Sequence, residues 1–483
     1  MRKQLVAGLV CLSLHGGEVV KEADSKTLSG IVSFLASDAL EGRDTPSAGL
    51  TVAGEYIASE FRRIGLKPVV NGSYFQEAKV TVRRVVRQGF EMSFQDGEKT
   101  VKVPLETALW NSGPQISLES AAVRKMKLGE AKEFSGDQVE ALVVLETGGP
   151  NEARSGGLQQ AIQKLGKAGA KVILLMDLPV PLQQQTLEFE DVPKPSAVLL
   201  RSSDSEVGIY LKGLAAGVGS SRVTAKIPEA AGKGDVVRNV AGVLVGSDEK
   251  LRDEYVMVSA HYDHLGIRPN DDGDRIFNGA NDDASGTASM IESARLLAQL
   301  SSAPKRSVLF VAFFGEEEGM LGSRYMGRHP IVPMMSLVAD LNLEQTGRTD
   351  GSEGPNVGQA NLTGYHFSTM HTYLEAAAKD TGLKIVKHEQ FSDPFYVASD
   401  NIAFAQAGVP STTLSVTYEF PDYHQKSDEW QKLDYENMAK VTRTAAQAAY
   451  LMAEAPERVK WNESEPKVKG FVEAAGKLKE QQK

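Results

Sequence analysis

The stretch from Glu254 to Gly286 constrains the fold more than any other part of the chain. Its apolar run, Tyr255-Val256-Met257-Val258, stops abruptly at His261-Tyr262-Asp263. A polar loop follows, then Asn281-Asp282-Asp283 and a run of small residues suited to opening a helix. A short apolar run of β-formers bounded by turn residues predicts a buried strand. In open α/β sheets, ligands bind beyond the carboxyl ends of the strands. His261, Asp263 and Asp282 therefore fall where an active site belongs, as half of a metal site whose other half lies downstream.

The downstream pattern supports a sheet. From Asp235 onward strand and helix alternate, which predicts an α/β fold. Val240–Val245 and Tyr255–Ala260 read as apolar strands, and residues 284–300 as a helix. Ser307–Phe314 is wholly apolar, as expected of a strand covered on both faces. Ser336–Leu343, Lys384–Val386 and Ser411–Val416 are further strands. A last amphipathic helix carries Met438, Val441, Ala445, Ala448 and Met452 on one face.

Upstream, residues 27–68 hold two helical patterns, LSGIVSFLASDALEGR and AGEYIASEFRRIGLKP. The second is closed by Gly65 with Pro68 just beyond, a helix-stop signal. Residues 74–105 alternate in short strand-like segments. Residues 106–230 differ in character: strand 139–145, helix 157–169 and strand 171–176 make a small α/β unit that contains no histidine. It reads as a metal-free accessory domain.

The 483 residues suggest two or three domains. A formal net charge of -10 argues against nucleic acid or an anionic membrane surface as a partner. Nothing approaches 18 uninterrupted apolar residues, so no transmembrane span is expected. Cys11 is the sole cysteine, which precludes an internal disulfide. Arg2-Lys3 ahead of the apolar run Leu5–Leu14 predicts a signal peptide over residues 1–22, hence a secreted or periplasmic protein. There is no small-x-small cleavage site, and Val10 before Cys11 departs from a lipoprotein anchor. The organisation expected is then 23–105 as the first part of the main domain, 106–230 inserted, 231–456 as the remainder of the main domain, and a charged tail over 457–483.

Five segments end apolar runs with acids or histidines: His261-Tyr-Asp263, Asn281-Asp282-Asp283, Gly315-Glu316-Glu317-Glu318, Asn342-Leu-Glu344 and Asp422-Tyr-His424. Three carboxylates directly after a buried strand are costly to desolvate unless a cation neutralises them. Two histidines with three carboxylates suit zinc, with other first-row metals as alternatives. One catalytic zinc takes three protein ligands, so five fit two zincs sharing a bridging carboxylate.

These segments resemble, in order, the motifs of the co-catalytic zinc aminopeptidases, a family that includes bacterial leucyl aminopeptidases, glutamate carboxypeptidases and glutaminyl cyclases. The resemblance covers roughly residues 27–90 and 235–455. It implies a three-layer α/β/α zinc-peptidase fold with a mixed sheet. SAHYDHLG resembles the first motif, with His261 a metal ligand and Asp263 orienting it. NGANDDASGTA resembles the second, with Asp282 bridging. FFGEEEGMLGS, aligned on Gly319, Gly322 and Ser323, implies Glu316 as general base and Glu317 as ligand. Asn342-Leu343-Glu344 departs from the family's usual Asn-Leu-Asp and puts Glu344 in the ligand position. Asp340 stays an alternative, since four residues apart on a strand the two point the same way. PDYHQKSDEW implies His424 as the last ligand, with Tyr423 helping to hold the oxyanion. Asp400 in VASDNIAF is expected to line the pocket. Residues 106–230 are similar to an inserted protease-associated domain.

The implied activity is a two-zinc aminopeptidase that removes the N-terminal residue from peptides with a free α-amine. A carboxypeptidase or dipeptidase on the same scaffold is the alternative, with Arg324 and Arg348 as candidates for a carboxylate pocket. A single-zinc glutaminyl cyclase is the third reading.

Overall fold

The computed structural model describes residues 18–480 apart from 85–87, 112–114, 148–156, 177–184, 190–195, 201–203, 230, 269–272 and 353. The apolar run of the expected signal peptide lies outside the described residues. Val20, within its expected span, is buried, and its amide donates to Gln447 Oε1 at 2.8 Å. No described helix is long and apolar enough to cross a membrane.

Two compact units divide the chain: residues 1–76 with 239–483, and Glu77–Arg238. The first opens with α1 (Ser25–Leu35) and α2 (Ala48–Ile64). Asp24 caps α1 by accepting from the amides of Lys26 and Thr27, and Ser47 caps α2 through the amide of Leu50. Gly65 ends α2 at φ +93°, where only glycine sits without strain.

Seven strands form the sheet segment that positions the site: β1 (Ala231–Leu244), β2 (Tyr255–His261), β3 (Ser307–Phe313), β4 (Leu337–Leu343), β5 (Gln359–Leu362), β6 (Lys384–Val386) and β7 (Ser411–Ser415). Their spatial order is β6-β5-β7-β4-β2-β3-β1. The central strands β7, β4, β2 and β3 run parallel, while β1 pairs antiparallel with β3 and β5 antiparallel with β7. The sheet is therefore mixed, with a parallel centre. Every residue of β3 is buried. Leu309, Val311 and Phe313 pack on one face with Met257, Met326 and Phe404. Val308, Phe310 and Ala312 occupy the other by alternation.

Helices cover both faces. α3 (Gly286–Ala298), α5 (Met370–Thr381) and α7 (Tyr435–Glu454) pack together with α1, and α4 (Leu321–Arg328) and α6 (Asn401–Gln406) lie with α8 (Lys469–Glu480). This is the expected three-layer α/β/α arrangement. Within the expected charged tail, Val468 just before α8 is buried, and the half-buried Phe471 and Val472 of α8 join it against Phe367, Tyr396 and Trp461.

The second unit holds an eight-stranded sheet. Its centre has the expected strand–helix–strand course, Leu142–Glu146, Gly157–Lys167 and Val172–Met176. This unit begins at Glu77, not near 106. Residues 91–102, expected with the hydrolase part, form a hairpin whose strand Glu91–Asp96 pairs with Gly217–Ile227. Short alternating strands carry no mark of the sheet they will join, so their assignment by sequence adjacency failed. The first unit is closed across the interruption. Ala241 N donates to Tyr74 O at 2.7 Å, and Asn239 Nδ2 donates to Gln76 Oε1 at 2.9 Å.

Gly286 opens α3 against the end of β4. A Cβ there would lie 2.2 Å from Leu343 O and 2.5 Å from the Asp283 carboxylate. Gly286→Ala is expected to lower stability by about 1–3 kcal/mol through overpacking, read from the denaturation midpoint at unchanged m-value.

Candidate metal centre

The chemistry-bearing residues gather at the carboxyl ends of the parallel strands. His261 is the last residue of β2, and Glu344 follows β4 directly. Glu316 and Glu317 lie just beyond β3, and Asp282 sits in the turn 280–285 that leads into α3. His424 lies in the loop after β7, with a left-handed φ of +55°.

His261 Nε2 is 3.2 Å from Asp282 Oδ1. His424 Nε2 is 3.2 Å from both Asp282 Oδ2 and Glu317 Oε2. Two groups could each hold a metal ion, with one ligand atom per residue and all such atoms within 4.8 Å of one another: His261, Asp282 and Glu344, and His264, Asp282 and Glu317. Asp282 belongs to both. The five expected ligands are thus brought together. Of the two strand acids, Glu344 joins the cluster, while Asp340 lies within the strand and accepts from Ser259 Oγ at 2.8 Å.

His264 was missed by the sequence reading. Its Nδ1 lies 2.7 Å from Glu317 Oε1, so it offers a second imidazole on the Glu317 side beside His424. The signal was present: it stands three residues after His261, directly behind Asp263. Asp428 was missed as well. Its carboxylate accepts the amides of Asn281 and Asp282 at 3.0–3.1 Å, which ties the His424 segment to the Asp282 turn.

The turn is fixed on its other side too. Asn281 Oδ1 accepts the amides of Gly347 and Arg348 at 2.9 Å, and Asp283 Oδ1 accepts that of Gln345 at 3.0 Å. Asp263 accepts the amides of Glu316 and Glu317 at 3.1 and 3.3 Å and lies 3.5 Å from His261 Nδ1. One buried carboxylate therefore orients both the first histidine and the Glu316-Glu317 turn.

The electrostatics are those of excess negative charge in a dry place. Burial raises Glu316 well above the carboxylate range, partly opposed by His261 and reinforced by Glu344 and Glu317. Burial also lifts Glu344 to about 7. Glu317 feels the same burial, but His264 and His424 outweigh it and hold it at about 2. His424 is driven up to about 10, its burial overcome by Glu317 and Asp282. Tyr423 stacks on His424 with ring centroids 4.0 Å apart, and burial facing Asp282 and Glu317 keeps its phenol protonated.

A metal fits these residues on their own evidence of bonding. Among the described residues, both ring nitrogens of His261 and of His264, together with Glu317 Oε1, are buried without a hydrogen-bond partner. Donors and acceptors that approach to about 3 Å without aligning are oriented for something between them. Imidazole nitrogens and carboxylate oxygens are a donor set suited to zinc. Comparison with other proteins agrees, because the model of Peptidase family M28 matches residues 239–449.

Among curated proteins, the chain is 35% identical over 119 residues to a "Probable zinc metalloprotease" of Pyrenophora teres f. teres, covering 24% of each. It is 27% identical over 219 residues to "Aminopeptidase YwaD" of Bacillus subtilis, covering 44% of each. The chain therefore spans less than half the length of either curated relative. The solved aminopeptidase from Aneurinibacillus sp. strain AM-1 shares the fold, with a TM-score of 0.57 at 18% identity, over 89% of this chain and 94% of that one.

Because Glu344 is lifted to about 7, it holds a proton over much of the range below neutrality and must release it to ligate a metal. Zinc affinity at this centre should accordingly fall as pH drops from about 8 to 6, with net proton release on binding. Calorimetry in two buffers of different ionisation enthalpy measures that release. Asp282→Asn, which alters a residue common to both groups, should weaken zinc binding by at least ~10²-fold and abolish the rise in Tm that zinc gives the parent.

Proposed function

We propose that this chain is a zinc-dependent aminopeptidase of the M28 type with a pair of zincs, hydrolysing the N-terminal residue from peptides. The observation that carries the reading is the position of Asp282 in both ligand groups, as a carboxylate bridging two cations requires. His261 and Glu344 would hold one metal, and Glu317 with His424 the other, where His264 is also within reach. Bound there, the zincs would supply Lewis-acid polarisation of the scissile carbonyl and of the attacking water.

The chain's own groups do the rest. Glu316 accepts the proton from the attacking water and returns it to the leaving amine. Its burial and its acidic neighbours raise its proton affinity, which suits a group that must take up a proton and give it back. Asp263 fixes the backbone of Glu316 and Glu317 and keeps His261 in register. Tyr423, protonated, can donate to the developing oxyanion.

Beside Glu344 opens a pocket lined by Phe395, Ala398, Tyr418, Thr413 and Ser415. We read it as the seat of the N-terminal side chain. Of the two arginines proposed for a carboxypeptidase, Arg348 is taken up by Asp350 and Asp422 at 2.6–2.8 Å. Arg324 lies near Asp400 and Glu316 and is the one observation on the side of a carboxylate-binding exopeptidase. The second unit, Glu77–Arg238, is read as the protease-associated domain on the course of its strands and helix.

Amino-acid anilides with a free amine should be cleaved and their N-acyl forms should not, whereas C-terminal release from N-blocked peptides would select the carboxypeptidase. Glu316→Gln should keep full zinc content and lose at least ~10²-fold in kcat. Near-parental turnover in that variant would remove Glu316 from its role.

A further inference from the structure

The segment Asp38–Arg43 lies outside the five ligand-bearing motifs, yet Arg43 is fully buried against two of them. Its Nε donates to Tyr262 O at 2.8 Å, directly after His261. Nη1 donates to Asn278 O at 2.7 Å and to Leu35 O, and Nη2 donates to Gly279 O at 3.0 Å. Arg43 O in turn accepts the amide of His264 at 3.3 Å. One planar fork thus spans the end of β2 and the approach to Asp282. All four of these donor bonds go to backbone carbonyls, a use that matches the fixed geometry of a guanidinium.

The backbone is distorted to place it. Glu41, Gly42 and Arg43 are consecutive left-handed residues, at φ +51°, +70° and +52°. Side-chain-bearing residues adopt that region at an energetic cost and persist there only when their surroundings hold them. A Cβ on Gly42 would lie 2.5 Å from Phe277 O and 2.7 Å from Gly266 O, so the segment is pressed against the loop joining the two motifs. Burial disfavours the guanidinium charge, and Asp263, Asp428, Asp283 and Asp282 favour it. Arg43 is a built-in cation among the carboxylates of the centre, on the backbone side of the ligands.

We infer that Arg43 is a positioning residue for the metal centre: its guanidinium locks the His261 and Asp282 loops to each other in the geometry that both zincs need. The inference rests on the metal-centre reading given above. Groups that orient ligands from behind typically contribute 10–100-fold to metal affinity.

The test is zinc affinity and stoichiometry, by competition with a chelating dye, in the full-length protein. Arg43→Lys keeps the charge but cannot span four carbonyls. Arg43→Met keeps neither charge nor donors. Phe471→Ala, in the cluster under α8, serves as a control that loses stability elsewhere. The expected result is a loss in zinc affinity of ~10-fold for Arg43→Lys and up to ~100-fold for Arg43→Met. Phe471→Ala should stay within about twofold of the parent. Parental affinity and stoichiometry in both Arg43 variants overturns the inference. So does an equal loss in Phe471→Ala at a matched fall in Tm, since general destabilisation then explains the effect. If Arg43→Met does not fold, Arg43→Lys decides alone. A parent protein that takes up no zinc sinks the metal-centre reading itself, which is a different result from variants that bind as well as the parent.

Discussion

Mutual repulsion among buried carboxylates is the constraint around which this structure is arranged. Buried Asp263, Asp282, Asp283, Asp400 and Asp428 converge with the half-buried Glu317 and Glu344 at one end of a parallel sheet, where water screens them poorly. Such a cluster is tolerated only if every charge has an answer. The answers differ in kind. Asp428 and Asp263 are met by peptide amides, Glu317 by two imidazoles, and several of the acids share the nearby guanidinium of Arg43. What these leave over, chiefly on Glu344 and Glu316, is the charge that bound cations would neutralise. Burial raises the proton affinity of Glu344 and Glu316, which is the electrostatic mark of that remainder.

The same constraint explains why the ligands sit on loops while the loops are rigid. Asp282 and His261 are each accompanied by neighbours that bond backbone. Asn281 and Asp283 flank Asp282 and reach the amides beyond β4. Asp263 stands two residues from His261 and holds the turn beyond β3. The loops are therefore cross-linked to one another, and the position of any one ligand is set by at least one segment distant in sequence.

Much of this was legible in the chain. Apolar runs that end in acids or histidines mark strand ends, and only one end of a parallel sheet can collect them, so the five motifs had to meet. The wholly apolar β3 announced a covered sheet. The choice of Glu344 over Asp340 rested on alignment, because a period of two could not separate them; their different surroundings became visible only with the strand's end located. His264 was hidden because one histidine beside another looks redundant in a linear reading. Arg43 was hidden more deeply, since three of its four partners lie over 200 residues away and all are carbonyls, which leave no trace in side-chain identity. The boundary of the second unit was misplaced for a related reason: a strand's sequence records its two faces, not the identity of its neighbour.

The first unit makes its own hydrogen bonds across the point where the second is inserted, Tyr74 to Ala241 and Gln76 to Asn239. The two cut ends of the hydrolase scaffold are already side by side, as the legs of an ordinary hairpin would be. In architectural terms the intervening 162 residues from Glu77 to Arg238 are a cassette. A turn could join Gln76 to Asn239 in their place at the loss of residues 231–238 of β1, and a different module could be spliced into the same slot.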